Sequence, residues 1–191
     1  MGGTFDPVHN GHLAAAGQLC QVAELGEVWL MPNAQPPHRP PALAGARDRM
    51  RMVELSVDGL PGLRASQLEV ERGGISYTID TVRELAAKHP DRRFDLLLGT
   101  DAALNIRSWR EAEALLREAR FVIFNRPDTA TTAAELHALG FPRQRTRVVH
   151  VDTPGIAAHE VRQRLQDGLP VDGMVPSQVV DYIRRHGLYR R

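Results

Sequence analysis

Short apolar runs alternate with amphipathic stretches along nearly the whole chain, and no other feature limits the fold as much. Val28-Trp29-Leu30-Met31 (ended by Pro32), Phe94 to Leu98, Phe121 to Phe124 and Val148 to Val151 are compact, apolar and bounded by turn or charged residues, as buried strands are. Between them Leu13, Ala16, Leu19, Cys20 and Ala23 recur at helical spacing, as do Ile79, Val82, Leu85 and Ala86. Ala112, Leu115, Leu116 and Ala119 make a third apolar face, and Val161 to Leu165 and Val179 to Ile183 supply two more. This order predicts an α/β fold, a doubly wound parallel sheet with helices on both faces. Asn33 to Pro41 carries four prolines in nine residues and reads as a loop of restricted φ. Asp128 to Thr132 reads as a surface connection. With no internal repeat or low-complexity tract, residues 1–191 are expected to form a single domain.

Composition excludes several classes of function. Lys+Arg of 24 against Asp+Glu of 23 leaves a net charge of +1, so no global field draws the chain to nucleic acid or anionic lipid. Lys88 is the sole lysine and His89 follows it, which removes the Lys-Ser/Thr signature of a P-loop. Cys20 is alone, so neither an internal disulfide nor a CxxC metal site can be written, as suits a reducing cytosol. No run of 18 apolar residues occurs, and the N-terminal segment has neither a signal peptide's pattern nor a myristoylation site. These features predict a soluble, cytoplasmic protein without nucleic-acid or membrane partners; they leave oligomeric state open.

Chemistry concentrates in Gly2-Gly3-Thr4-Phe5-Asp6-Pro7-Val8-His9-Asn10-Gly11-His12-Leu13. Two glycines admit a ligand close to the backbone, and Thr4 adds a hydroxyl and an amide. His9 and His12 flank Gly11 where the first amphipathic helix begins, and a helix N-terminus offers unpaired amides and positive dipole to a phosphate. Neutral imidazoles there donate to phosphate oxygens, and a nearby phosphate favours their charged form. A plain glycine turn whose histidines pad a helix is the competing reading. The i, i+3 spacing lacks the Glu and the i, i+4 pair of a zinc helix.

This segment closely resembles the signature of the nucleotidyltransferases with an HxGH phosphate-binding element, and the landmarks behind it resemble the bacterial nicotinate-mononucleotide adenylyltransferase family. They are Met31-Pro32-Asn33 with Pro36-Pro37-His38-Arg39, Ile75-Ser76-Tyr77-Thr78, Gly99-Thr100-Asp101, Ser108-Trp109, Phe124-Asn125-Arg126-Pro127 and the ending Tyr182-Ile183-Arg184-Arg185-His186-Gly187-Leu188-Tyr189, in the family's order. The resemblance implies a Rossmann-like fold and a reaction of ATP with nicotinate mononucleotide, giving deamido-NAD and pyrophosphate with Mg²⁺. The nucleophile there is the mononucleotide's own ionised phosphate, so no general base is needed; the enzyme aligns two anions and stabilises the leaving pyrophosphate. A carboxylate cage for the metal is not expected, because Mg²⁺ bridges ATP oxygens with few protein ligands.

By the same carry-over His9, His12 and Arg162 are the catalytic residues, and Gly2, Gly3, Thr4 and Phe5 serve the ATP phosphates, where His159 is expected to join them in place of a family hydroxyl. Asn33 and His38 belong to the family's substrate-side loop, with Arg39 beside them, and Tyr77 and Thr78 stand where its backbone meets the ring carboxylate. Asp101 matches the acidic residue near the ribose, Trp109 the aromatic stacked on the nicotinate ring, and Arg126 the phosphate-side arginine. Taken alone, Trp109 reads first as core, and the alternatives are Asp101 as an N-cap for Ala102 to Asn105 and Arg126 as a solvated strand-end cation. His89, His137, His150, His186 and the arginines at 184, 185, 190 and 191 read as helix-end, strand or surface residues.

Two departures from the family pattern stand out. The family has a short apolar strand ahead of Gly-Gly-Thr where this sequence has only Met1, so the first strand is expected to be truncated here and the native chain to begin a few residues upstream. The family's Ser-Ser/Ala-Thr-x-x-Arg element reads Ala157-Ala158-His159-Glu160-Val161-Arg162, which keeps the arginine and loses both hydroxyls. His159 is expected to donate to a phosphate oxygen in their place. Two alternatives accompany the leading reading: a phosphopantetheine adenylyltransferase-like enzyme, which shares the first motif, and a weakened nucleotide-binding homologue acting as a sensor.

Overall fold

Every strand pairing among the described residues is parallel, as alternating strands and helices require. The computed structural model describes residues 1–37, 40–125 and 130–190. Their contacts divide the chain into two compact units, one of residues 2–75 with 153–191 and one of residues 76–152 with Met1.

The first unit opens with β1 (Gly2–Gly3), whose two residues pair with the end of β2 (Val28–Pro32), Gly2 opposite Met31 and Gly3 opposite Pro32. Between them runs α1 (Asn10–Val22), which buries Ala15, Ala16 and Leu19. The helix α2 (Ala46–Val57) then leads to β3 (Leu63–Ala65), which completes the strand order β1-β2-β3, and the short α3 (Leu68–Arg72) follows. Sequence periodicity does not reveal α2, because its buried face carries Arg49 and Ser56 among Met50, Met52, Val53 and Val57. Three-residue β3 is equally invisible to it.

In the second unit α4 (Thr78–Lys88) precedes β4 (Leu96–Gly99), α5 (Thr100–Leu104) and α6 (Ala112–Glu118). Then come β5 (Phe121–Asn125), α7 (Ala133–Ala138) and β6 (Thr146–His150). The order β4-β5-β6 places Leu96 opposite Phe121 and Phe121 opposite Thr146. Its core gathers Ile79, Ile106, Leu115, Phe121, Ile123 and Leu136, with Phe141 edge-on to Phe121 at 4.9 Å. The connection read at Asp128 to Thr132, of which Asp128 and Thr129 lie outside the described residues, ends in the cap of α7: Thr132 accepts the Glu135 N–H (3.3 Å), while the Glu135 carboxylate accepts the Thr132 N–H (2.8 Å). Those bonds hold the Glu135 carboxyl below its usual range, the backbone N–H of Thr132 being the largest cause.

The chain returns to the first unit through α8 (Ala158–Gln166) and α9 (Ser177–His186). Basic residues 184–186 suit the negative end of α9, and Gly187 (φ 62°) takes the left-handed step that lets Leu188 donate back to the Ile183 carbonyl at 3.1 Å. Tyr182 on α9 donates to Asp48 Oδ1 on α2 at 2.8 Å.

Candidate active site

The turn from β1 into α1 is folded tightly. Phe5 adopts φ 49°, a left-handed conformation costly for a bulky residue, and its ring is fixed by burial. It lies so close over Gly3 that a Cβ there would come within 3.1 Å of it, and its centroid is 5.0 Å from that of His12 in an edge contact. His9 occupies the N-cap position of α1, and its ring stacks on His12 at 3.6 Å. The His12 Nδ1 accepts the His9 backbone N–H at 3.3 Å, so in the neutral ring the proton resides on Nε2, a donor. A Cβ on Gly11 would approach the His9 ring to 3.1 Å and the Pro154 carbonyl to 3.2 Å, which accounts for a glycine between the histidines. Asn10 anchors the helix start, its backbone N–H on the Met174 carbonyl and its Nδ2 on the Gly173 carbonyl, both at 2.8 Å.

Asp6 ties this turn to distant parts of the same unit. Its carboxylate accepts the N–H groups of Leu43 (2.8 Å) and Ala44 (3.0 Å) and the Tyr189 hydroxyl (2.7 Å). Burial, and then that bond to Asp6, push the Tyr189 phenol well above its ordinary pKa. The Asp6 carbonyl accepts Arg162 Nη1 at 2.7 Å, and the guanidinium stands 4.0 Å from the Asp6 carboxylate. Arg162 is therefore held beside the glycine turn from α8. His159 lies exposed one turn earlier on α8, whose N-cap Ala157 supplies no side-chain bond.

Asn33 follows β2 as Thr4 follows β1, at the carboxyl ends of adjacent parallel strands where ligands of open α/β sheets collect. Its backbone N–H donates to the Gly3 carbonyl at 3.0 Å and its Nδ2 to Thr4 Oγ1 at 3.4 Å. Arg49, 1% exposed, donates to the carbonyls of Thr4 (2.7 Å), Ala34 (3.0 Å) and Ala44 (3.1 Å) and to Asn33 Oδ1 (3.3 Å). Burial lowers its pKa, and the charge of Asp6 opposes that shift. Sequence reasoning missed Arg49, the Asp6 carboxylate and Tyr189 as parts of the site. Asp6 and Tyr189 lie inside recognised motifs, whereas nothing distinguishes Arg49 from its neighbours Arg47 and Arg51.

In the other unit Tyr77 is the N-cap residue of α4 and Thr78 its first residue, both partly buried, with Arg110 over the Tyr77 ring at 4.5 Å. Trp109 is partly buried against the apolar cluster around Ile106. Asp101 is exposed in the first turn of α5 after β4; the N-cap is Gly99, so the capping alternative for Asp101 does not hold. Thr100, buried beside it, donates to Asn125 Oδ1 at 2.7 Å and so joins the ends of β4 and β5. His38, Arg39 and Arg126 lie outside the described residues. Among the described residues no three His, Cys, Asp or Glu side chains gather as a metal site, and no helix is long and apolar enough to cross a membrane.

Residues 1–164 match the family model described as cytidylyltransferase-like, and the chain belongs to that family. Its relatives narrow the group. The "probable nicotinate-nucleotide adenylyltransferase" of Symbiobacterium thermophilum is 41% identical, with 100% of this chain and 94% of that protein covered. The protein of the same name from Bordetella petrii is 40% identical, with 100% and 97% covered. Among solved structures, Plasmodium falciparum nicotinic acid mononucleotide adenylyltransferase complexed with NaAD matches with a TM-score of 0.79 over 98% of this chain and 94% of that one. At 21% identity that likeness bears on the fold alone, which is Rossmann-like α/β as the alternation and the first motif predict.

Proposed function

We propose that this protein is a nicotinate-nucleotide adenylyltransferase of NAD biosynthesis, with ATP and nicotinate mononucleotide as substrates and deamido-NAD and pyrophosphate as products. The observation that carries this reading is the stacked His9–His12 pair at the start of α1, with Arg162 held against the same turn by the Asp6 carbonyl. The full-length identity to proteins named for this activity supports the choice of acceptor.

In this reading an oxygen of the mononucleotide phosphate attacks the α-phosphorus of ATP in line. The bond from that phosphorus to the α,β-bridging oxygen breaks, and pyrophosphate leaves with the electron pair. The acceptor is already anionic, so the chain's task is orientation and charge stabilisation. Gly2, Gly3 and Phe5 bring backbone to the phosphates, and the Thr4 hydroxyl, His9, His12 and Arg162 donate to their oxygens. His159 donates from α8 where the family pattern has a hydroxyl. A divalent ion, taken as Mg²⁺, would enter with ATP as part of the substrate and would offset the charge of its phosphates, while the residues named here hold the phosphate oxygens.

The acceptor side follows the family carry-over: Trp109 stacks on the ring, Tyr77 and Thr78 meet the ring carboxylate, and Asp101 meets a ribose. Asn33, His38 and Arg126 complete it. We read residues 1–191 as one nucleotidyltransferase domain, supported by a family match that runs through residues of both units. We place the protein in the cytoplasm, on its single free Cys20.

Pyrophosphate release with Mg-ATP tests the proposal against three acceptors: nicotinate mononucleotide, nicotinamide mononucleotide and phosphopantetheine. Turnover with nicotinate mononucleotide and none with phosphopantetheine is the expected result. Silence with all three from folded protein overturns it in favour of a binding-only homologue.

A further inference from the structure

Arg49 is an expensive residue to bury, since desolvating a guanidinium costs more than packing an apolar side chain of similar size in its place. Three of its contacts are backbone carbonyls, which any well-placed donor satisfies. The fourth has a consequence for chemistry. Arginine has donors and no acceptor, so the amide oxygen of Asn33, and not its nitrogen, faces Nη1 at 3.3 Å. The amide nitrogen is thereby turned toward Thr4, where Nδ2 donates to Oγ1 at 3.4 Å. With an N–H donor occupying the acceptor side of the Thr4 oxygen, the hydroxyl hydrogen points away from Asn33. The Thr4 carbonyl is pinned by the same guanidinium at 2.7 Å, which limits rotation of the residue that carries this hydroxyl.

We infer that Arg49 is a positioning residue for the nucleotide: through the Asn33 amide it fixes the Thr4 hydroxyl as a hydrogen-bond donor, pre-set for an ATP phosphate oxygen. This rests on the proposed adenylyl transfer for its ligand, and it assigns a task to a side chain that touches no substrate. Without the relay the hydroxyl is free to donate to Asn33 and to present its lone pairs to an anion.

Asn33→Asp separates this role from a structural one. The Asp carboxylate still accepts from Arg49, now with charge assistance, so unfolding is expected no earlier in urea than for the wild type. It has no donor, so the Thr4 hydroxyl turns its hydrogen inward. Asn33→Asp, Arg49→Lys and Thr4→Val, and each of the first two combined with Thr4→Val, are compared by kcat/KM for ATP. The calorimetric Kd for α,β-methylene-ATP is measured on the same set.

Each single variant is expected to lose roughly ten- to a hundredfold, the size of one hydrogen bond to a charged group. On the Thr4→Val background the other two changes are expected to weaken analogue binding by no more than about threefold, because the bond they govern is already gone; the cycle is read in Kd, since kcat/KM of Asn33→Asp also carries its place on the acceptor side. Losses that multiply, or a Thr4→Val enzyme as active as wild type, overturn the inference. If Arg49→Lys does not fold, the Asn33→Asp cycle decides by itself. A wild type that binds the analogue without releasing pyrophosphate refutes the proposed reaction, while the cycle in Kd still tests the relay. Failure to bind the analogue refutes both.

Discussion

At the scale of single residues the site is governed by close approach and by buried hydrogen bonds. Helix propensity alone favours alanine over glycine at position 11 by about 1 kcal/mol. The added Cβ would press on the His9 ring at 3.1 Å and the Pro154 carbonyl at 3.2 Å, and the ring is stacked on His12 with little room to yield. Overpacking wins: Gly11→Ala is expected to lose about 1–3 kcal/mol in urea unfolding and to lower kcat/KM. A variant more stable than wild type contradicts this packing.

Tyr189 gives a pH-dependent test. Its phenol, ordinarily near 10.0, is raised in the folded chain by burial and by the bond to Asp6. A raised folded pKa contributes stability that is complete below the unfolded value and declines as pH climbs above it, because the unfolded chain alone then gains by ionising. Tyr189→Phe is therefore expected to cost about 1.5–3 kcal/mol near neutral pH, with its deficit against wild type shrinking as pH rises above 10. A deficit that grows above that pH would place the shift in the other direction.

At the scale of elements, α8 begins without a side-chain cap. Ala157 has the extended backbone of an N-cap (φ −111°, ψ 136°) and no side chain to perform the task. Ala157→Ser is expected to stabilise the protein by about 0.5–2 kcal/mol and to lower the KM for ATP, read together from thermal unfolding and initial rates. A rise in stability with no change in KM would confine the missing hydroxyl to capping and separate it from the phosphates. The helix α7 shows the opposite case. Thr132 and Glu135 form a full capping box there, and the Thr-x-x-Glu spacing that makes it is present in the sequence.

At the scale of the whole molecule, the residues proposed around the phosphates meet from remote parts of the chain. Arg162 and Tyr189 reach Asp6 across 156 and 183 positions. Binding at such a site draws on the folded chain alone, so ligand stabilises it by mass action. Mg-ATP at a hundred times its Kd adds about 2.7 kcal/mol to the unfolding free energy. For a chain of 191 residues this predicts a rise of roughly 5–10 °C in Tm. Differential scanning calorimetry across a nucleotide series checks it, and a Tm indifferent to Mg-ATP at every concentration contradicts nucleotide binding.

What was legible in the chain as a string is local. Alternating apolar runs specified parallel strands and five of the helices, since period and run length are properties of neighbouring residues. The Gly2-to-His12 segment gave the expectation of a phosphate turn, because glycine spacing and a histidine pair at a helix start are also local. What the tertiary structure decided is which side chains serve that turn. Arg49 looks like a solvated charge in Ala46-Arg47-Asp48-Arg49-Met50 and proves to be among the most deeply buried side chains. Its role depends on carbonyls at Thr4, Ala34 and Ala44 that only the fold brings to one point. Periodicity reports which face of a helix is buried on average. Whether a charge on that face is satisfied is decided by hydrogen-bond partners distant in sequence, and those exist only once the chain has folded.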